Sequence, residues 1–277
     1  NVSVSGGTFN PEVQPDYCAI GFVPCEHDTE IGKYTVKATE GNAAYYDASG
    51  KLLGYANVDA AMAIANVATI KLIKTATVNG VLALQNNITL DLNGHELSAQ
   101  MLVGFVGTVI DSSEGEGLLK LANKDYLTLN STNAYLPLYD TTAQGYRFFS
   151  YEFKARGIAS GGDTSGDKKQ FWFSIVFGGD QAYALLKNAN HGLGIKLSLA
   201  VGSNAPMEAT VPQAAITQWV NAVKINGGSL EGEKTGFYMA VKGLSKIGSD
   251  TVTVGGIVET HGVKNVSDSV LTHTNAN

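Results

Sequence analysis

The segment ITLDLNGHEL, residues 88–97, holds the side chains of this chain that are best suited to chemistry. Asp91, Asn93 and His95 alternate with apolar or small residues, so an unbroken strand would place all three on one face. A carboxylate, an amide and an imidazole on one face could bind a metal ion or supply the acid and base of a hydrolase. The alternative is a turn, because Asn93-Gly94 tolerates positive φ at both positions.

We adopt the turn interpretation. A turn at Asn93-Gly94 ends the alternation, so His95 need not share a face with Asp91. The carboxylate of Asp91 would then accept hydrogen bonds from turn amides. The strand itself would supply core residues, namely Ile88, Leu90 and Leu92.

Two further acidic clusters carry weaker signals. The loop ASGGDTSGDKK offers Asp163 and Asp167, and oxygen ligands on a loop suit calcium. Their spacing is not that of an EF-hand, and an exposed hairpin tip is the alternative that we favour. The run DSSEGEG is predicted to be a solvated turn; it contains Asp111, Glu114 and Glu116.

No arrangement in the sequence indicates catalysis. The histidines considered as bases are scattered and lack an evident Ser or Cys partner: His27, His191, His261 and His273. No two carboxylates form a compelling pair for sugar hydrolysis. We therefore predict no enzymatic activity, no catalytic residue and no cofactor, with calcium left open. Sugar binding by strand aromatics also stays open, although such rings more often pack in a core: Tyr146, Tyr151, Trp172 and Tyr238.

The composition favours an all-β protein. Charged residues make up 16% of the 277 residues, and glycine occurs 32 times. Low charge with frequent turn residues suits short strands joined by tight turns. The net charge of −6 argues against nucleic acid or an anionic membrane as a partner, since both need a basic face. No apolar run approaches the ~20 residues of a membrane span, and we interpret the chain as a mature or excised segment without a leader.

The two cysteines, Cys18 and Cys25, lie in CAIGFVPC. A hairpin or compact loop could bring them within disulfide distance, and free thiols are the alternative. The spacing is not that of a zinc or redox motif. A disulfide in a low-charge β protein would fit an exported protein.

The chain divides into three stretches. Residues 1–38 contain short strands around the cysteine loop, and residues 39–130 contain a short helix at VDAAMAIANV followed by short apolar strands. Three of these strands begin at intervals of about twenty residues, which indicates a parallel β-solenoid; they are headed by Ile70, Ile88 and Val109. Residues 131–277 have longer alternating strands, such as FWFSIVF and IKLSLAV, which are typical of a β-sandwich.

The order of these pieces resembles a known kind of module. SGGTFNPEV, YCAIGFVP, GKYTV, AYYD, an Ala-rich helix, TIKLIKTATV and NITLDLNGHEL follow one another, as in modules of large Firmicutes-type cell-surface proteins. The resemblance implies a short β-solenoid followed by an Ig-like sandwich. It also implies a non-catalytic, adhesin-like protein at the bacterial surface or secreted from the cell. Cys25 departs from the pattern and makes a local disulfide more plausible here.

Two non-catalytic functions follow from these expectations. The chain is either a stalk module of a longer adhesin or a subunit that joins copies of itself into a surface fibre, and we favour head-to-tail association. The first strand would complete a neighbour's sheet; its apolar residues are Val2, Val4 and Phe9. Surface glycans or host proteins are further partners to consider. A carbohydrate-binding or polysaccharide-degrading β-solenoid protein is the alternative.

Overall fold

The computed structural model describes most of the chain. The described residues are 2–85, 87–160, 168–188, 190–201, 203, 205–222, 225–226, 229–230, 236–242, 251–261 and 263–272. The loop with Asp163 and Asp167, which we predicted to be a hairpin tip and considered for calcium, lies outside them, and so does His273.

Over the described residues the fold is all-β, as predicted, with three short α-helices and two 3₁₀ helices, Pro15–Tyr17 and Lys124–Tyr126. The first twelve strands are β1 (Gly7–Phe9), β2 (Phe22–Asp28), β3 (Lys33–Ala38), β4 (Ala43–Tyr46), β5 (Leu52–Ala56), β6 (Thr69–Leu72), β7 (Ala76–Ala83), β8 (Thr89–Asp91), β9 (Glu96–Gly104), β10 (Thr108–Ile110), β11 (Leu118–Leu121) and β12 (Leu127–Leu129). The other ten are β13 (Tyr135–Asp140), β14 (Gly145–Ser160), β15 (Lys168–Phe177), β16 (Gly194–Val201), β17 (Met207–Val211), β18 (Ile225–Asn226), β19 (Ser229–Leu230), β20 (Gly236–Lys242), β21 (Thr251–Thr260) and β22 (Val263–Thr272). The helices are α1 (Val58–Ala61), α2 (Asp180–Leu186) and α3 (Gln213–Ala222). No helix in the described ranges has the length and apolarity needed to cross a bilayer.

The chain forms two compact units, residues 1–127 and 128–277. Their boundary lies close to the boundary predicted between residues 130 and 131. The predicted segments 1–38 and 39–130 fall within the first unit.

The first unit begins with a small antiparallel sheet in the order β1-β3-β2. Its strands pair along their full described length, with a bulge in β2 between Pro24 and His27. Within residues 2–42 only Thr35 and Val36 are buried. This sheet therefore has almost no core of its own.

The rest of the first unit is organised by parallel strand ladders. β6, β8 and β10 pair in parallel, and so do β7, β9 and β11. One row of register partners is Ile70, Leu90 and Val109, and another is Ala76, Leu97 and Leu119. All six side chains are buried. Along the chain, these register partners are about twenty residues apart.

Helix α1 is shorter than predicted. The whole Ala-rich segment VDAAMAIANV was predicted to be helical, but the helix spans four residues. Beyond Ala61 the N–H groups of Ala63 and Ile64 bond three residues back, which is the tighter 3₁₀ pattern. Asn66 then adopts a φ of 65°, which ends the helical path.

The second unit contains two antiparallel arrays. One pairs β13 with β14, β14 with β15, and β15 with β20, and the other runs β17-β16-β21-β22. β14 contacts both β21 and β22. The alternation in β16 is as predicted, since Ile195 and Leu197 are buried while Lys196 is exposed. This period-2 pattern is the signature of a strand with one face in the core.

The core of the second unit includes a histidine, His191. Its ring is 0% exposed, and Nδ1 accepts a hydrogen bond from the Leu193 N–H at 2.9 Å. Nδ1 is thus unprotonated, so the neutral ring carries its proton on Nε2. Nε2 finds no hydrogen-bond partner among the described residues. Burial lowers the pKa of His191 to about 4, because the charged ring would lose its hydration.

His191 should make stability fall on acidification. The unfolded chain takes up its proton near the ordinary pKa of about 6.5, whereas the folded chain resists protonation until about pH 4. The stabilisation is therefore complete above about pH 6.5 and is lost as pH falls toward 4, by up to about 3 kcal/mol. Urea unfolding of the wild type and of His191→Gln between these pH values measures it. An equal slope for both chains would contradict the assignment.

Candidate functional site

Asn93 and Gly94 form a turn, as predicted. Their φ angles are 47° and 78°, and the His95 N–H donates to the Leu92 oxygen at 2.9 Å. The chain leaves β8 at this turn and enters β9, which belongs to a different ladder. The polar side chains of the segment therefore surround a corner of the first unit rather than share one strand face.

Asp91 is buried at this corner. Its Oδ1 accepts hydrogen bonds at 2.9 Å from the N–H groups of Asn93 and Ser112, which confirms its predicted role in binding turn amides. Its Oδ2 lies 3.4 Å from Lys71 Nζ. The nearby hydroxyl of Tyr46 keeps its proton, because burial first, then the charges of Tyr55 and Asp91, raise its pKa.

Asp111 is more deeply buried than Asp91 and accepts more hydrogen bonds. The prediction of a solvated turn was wrong for Asp111. It is 0% exposed. Its Oδ1 accepts from Gly94 N at 3.0 Å and from the N and Oγ of Ser113 at 3.2 and 2.6 Å. Its Oδ2 accepts from Gly115 N at 2.9 Å and Gly117 N at 2.7 Å. A carboxylate with this many donors is held as a structural acceptor.

Glycines make the wrapping around Asp111 feasible. A Cβ on Gly117 would lie 2.8 Å from the Leu92 Cβ and 2.9 Å from Asp111 Oδ2, closer than side chains approach one another. Gly115 has a φ of 93°, which L side chains rarely adopt. The alternating glycines of DSSEGEG were the available sequence signal for a backbone folded around a carboxylate.

These bonds join successive strands of the ladder. Asn93 Nδ2 donates to the Leu72 oxygen at 2.8 Å, and Gly94 N reaches forward to Asp111. In the opposite direction, the Ser112 N–H donates to Asp91 Oδ1. Both carboxylates are occupied by N–H donors or by Lys71, so neither is placed to exchange a proton with a substrate.

An open groove of about 310 Å³ lies beside the corner. Its apolar wall comes from Ile20, Phe22, Ala38 and Ile73, and its polar edge from Thr39, Lys74, Asn93 and His95. The Lys74 ammonium donates to the Thr39 oxygen at 2.9 Å. The volume of the groove is at the lower end of the range for small-molecule sites. The groove is therefore large enough for one small polar ligand.

Both cysteines carry free thiols in the structure. The pKa of Cys18 is raised, by partial burial first and by the nearby Cys25 second. A raised pKa keeps the reactive thiolate scarce. The disulfide between Cys18 and Cys25 stays a prediction.

Of the predicted assembly strand, only Phe9 lies in a strand of the small first sheet, β1, and Val2 and Val4 precede that strand. Val4 forms a parallel bridge with Cys18, and Phe9 pairs with Tyr34 of β3. Val2 is 73% exposed. The strand is therefore engaged with its own chain at Val4 and Phe9, while Val2 projects into solvent.

Of the aromatic residues proposed for sugar binding, Tyr146 does not lie at the surface. Tyr146 is 1% exposed and packs edge-on against Tyr139 and His261, so it is a core residue. Trp172 and Tyr238 are register partners on β15 and β20. Tyr151 is half-buried at the end of the β14–β15 pairing.

Two further histidines that were considered as bases, His27 and His261, lie in different units of the chain. His27 is exposed and stacks edge-on with Tyr34 at 5.0 Å. His261 has a φ of 47° and lines an open cleft with Lys196 and Glu259. No group of three or more histidine, cysteine, aspartate or glutamate side chains in the described part of the chain is arranged to hold a metal ion.

Comparisons with protein-family models, with curated proteins and with solved structures found no match for this chain.

Replacing Asp111 should destabilise the first unit strongly. Asp111→Ala leaves buried N–H groups without an acceptor, at a cost of about 3 to 5 kcal/mol. Asp111→Asn keeps one acceptor oxygen and should lie between Asp111→Ala and the wild type. Chemical denaturation followed by circular dichroism measures the change.

Asp47 provides the matched control. Its carboxylate also accepts bonds from a turn, from Ser49 and Lys51, but it does so at the surface. Asp47→Ala should therefore cost much less than Asp111→Ala, since water replaces the lost acceptor. Equal losses at the two positions would contradict the structural role of Asp111.

The cysteine pair can be tested on protein purified without reductant. If Cys18 and Cys25 form a disulfide under oxidising conditions, alkylation will label neither thiol, and the intact mass will fall by two hydrogens. Cys25→Ser should then restore labelling at Cys18. Full labelling of both thiols after exposure to oxidised glutathione would contradict the prediction.

Proposed function

We propose that this chain is a non-catalytic structural module of an extracellular bacterial surface protein, and that copies associate head-to-tail into a fibre. On this proposal the ladders of the first unit are a short parallel β-solenoid. The second unit is an Ig-like sandwich. The recurrence of register partners about every twenty residues supports the first assignment, and the two antiparallel arrays support the second.

The hydrogen bonds of the buried carboxylates support a structural role rather than an enzymatic one. Asp91 and Asp111 accept hydrogen bonds from backbone amides across the ladder. An acid–base pair would instead need two carboxyl groups facing a cleft with room for a glycosidic bond. The segment whose side chains were best suited to chemistry is thus used to hold strands together.

The observation that carries the assembly proposal is the sparse burial of the small first sheet. Three strands contribute only Thr35 and Val36 to a core, too little to stabilise a sheet of this size alone. Large apolar side chains in the same segment face solvent, namely Val2, Tyr17, Ile20 and Ile31. A neighbouring copy that covers them would supply the missing burial.

Strands at the edges of the sheets would join one copy of the chain to the next. β1 and β2 are the outer strands of the first sheet, and β22 is the last strand in its own order. An edge strand presents backbone groups that can pair with a strand of another chain. Pairing between different edges of identical copies is heterologous and propagates into a filament.

The groove beside Asn93 and His95 supports one alternative, carbohydrate binding. It combines an apolar wall with amide, ammonium and imidazole groups at its edge, and such groups can orient sugar hydroxyls. A glycan array with the wild type and His95→Ala tests this alternative directly. Specific binding that His95→Ala removes would favour it over a purely structural role.

The assembly proposal predicts filaments that depend on the first strand. Negative-stain microscopy and light scattering of the full chain should show filaments that lengthen with concentration. Val2→Asp should abolish them, because a charge cannot be buried unpaired in the new interface. Val2 is mostly exposed, so folding should not change, and circular dichroism checks this. A monodisperse monomer at high concentration would overturn the proposal.

A further inference from the structure

The open groove of about 310 Å³ lies where two parts of the first unit meet. One side is formed at the ends of β2 and β3, and the other by the corners that follow β6 and β8. Two contacts join the sides. The Lys74 ammonium donates to the Thr39 oxygen at 2.9 Å, and a Cβ on Gly21 would lie 3.6 Å from Ile73 Cδ1. The groove is therefore formed by contacts within the chain before any ligand binds, which lowers the cost of binding.

The polar edge of the groove is rich in hydrogen-bond donors. The Lys74 ammonium has three N–H donors and uses one on the Thr39 oxygen. The His95 ring carries at least one N–H in every protonation state, and no hydrogen bond joins this ring to another described residue. The Asn93 amide has two N–H donors and uses one on the Leu72 oxygen. Donors thus remain for a ligand at Lys74, His95 and Asn93.

Acceptors at the same edge are already engaged. The Thr39 hydroxyl accepts from the Gly41 N–H at 3.2 Å, and Asn93 Oδ1 accepts from the Ser112 hydroxyl at 3.3 Å. A neutral hydroxyl both donates and accepts, whereas a carboxylate only accepts. An edge with open donors and occupied acceptors therefore favours a carboxylate over a neutral group.

The charge of the groove favours the same group. The Lys74 ammonium lines the groove, and no Asp or Glu does. Lys74 forms no salt bridge with another described residue. Glu96, which follows His95, is instead bonded to Lys120 at 2.9 Å. An anionic ligand thus meets one positive charge and no carboxylate among the residues that line the groove.

The opposite wall of the groove is apolar. It consists of Ile20, Phe22, Ala38 and Ile73. Ile20 is 59% exposed, and Phe22 is half-buried. A ligand that covers this wall gains free energy by burying apolar surface, which an inorganic anion cannot do. A ring with C–H groups on one face and polar groups at its rim fits both sides of the groove.

We propose that the groove binds a uronic acid residue, which is a sugar ring with one carboxylate. The carboxylate accepts hydrogen bonds from Lys74 and His95, and the C–H face of the ring packs against Phe22 and Ile73. The remaining Asn93 N–H donates to a ring hydroxyl. This inference rests on the carbohydrate-binding alternative to the proposed function and names its class of ligand.

The test is titration of the full chain with D-glucuronate up to about 50 mM, because a small open groove binds with a millimolar dissociation constant. Saturation-transfer NMR detects the bound sugar. Ile20 belongs both to the groove and to the surface proposed for assembly, so the Val2→Asp chain, which lacks head-to-tail contact, is measured beside the wild type. The matched ligand is D-glucose, which has a hydroxymethyl group in place of the carboxylate.

We expect D-glucose to bind at least about tenfold more weakly than D-glucuronate, because it lacks the charge-assisted hydrogen bonds. Raising sodium chloride should weaken the binding of D-glucuronate, since salt screens an exposed charge. Cyclohexanecarboxylate has the carboxylate and a ring but no hydroxyls, and it should bind more weakly than D-glucuronate.

Variants of two lysines locate the site. Lys74→Gln keeps a donor for the Thr39 oxygen but loses the charge, so it should weaken the binding of D-glucuronate by about tenfold. Lys74→Arg keeps the charge and should restore most of the binding. Lys51→Gln is the matched control, because Lys51 is an exposed lysine of the same unit that does not line the groove. It should leave the dissociation constant unchanged, and circular dichroism checks the fold of each variant.

Each outcome decides the proposal. Preference for D-glucuronate that Lys74→Gln weakens and Lys51→Gln does not supports it. Equal binding of D-glucose overturns the carboxylate assignment but leaves the carbohydrate-binding alternative intact. Equal binding of cyclohexanecarboxylate overturns the assignment to a sugar. No binding of D-glucuronate to either the wild type or Val2→Asp overturns the inference, and the carbohydrate-binding alternative then depends on the neutral glycans of the array.

Discussion

The first unit depends on one physical arrangement, the capture of backbone amides by buried carboxylates at the corner that follows β8 and β10. Parallel strands cannot close with a tight hairpin, so each pass must leave its sheet at a corner where backbone N–H groups lack partners. Asp111 accepts from Gly94, Ser113, Gly115 and Gly117, and Asp91 accepts from the two neighbouring turns. The stacked strands stay in register because these bonds cross from one pass to the next.

The first unit contains two parts that differ in how much of each is buried. The ladders have rows of fully buried residues between the corners, such as Ile70, Leu90 and Val109. Within residues 2–42, which hold the small sheet, only Thr35 and Val36 are buried. A segment with little core of its own is the natural place for intermolecular contact, since coverage by another chain supplies the burial that it lacks. We therefore expect the ladders to contribute most of the free energy of unfolding of the isolated first unit.

The second unit is stabilised in a different way, by aromatic and polar groups inside antiparallel sheets. Tyr183 Oη accepts from the Phe177 N–H at 3.1 Å, and Arg147 Nε donates to Asp140 at 2.8 Å. Burial works against the Asp140 carboxylate, but amide donation from Ala143 and the Arg147 charge together lower its pKa. With His191 buried in its neutral form, this unit favours neutral over acidic conditions, because protonation of either group opposes folding.

The sequence by itself determined local features that depend on neighbouring residues. Alternation and turn chemistry were enough for the all-β class, for the turn at Asn93-Gly94 and for the burial of Ile88, Leu90 and Leu92. Only the tertiary structure decided that Asp111 is buried, because four of the five groups that it binds are within six residues but the fifth, Gly94, comes from another pass of the chain. The same holds for the poorly covered first sheet. Exposure depends on what other segments cover a strand, and a linear pattern does not contain that information.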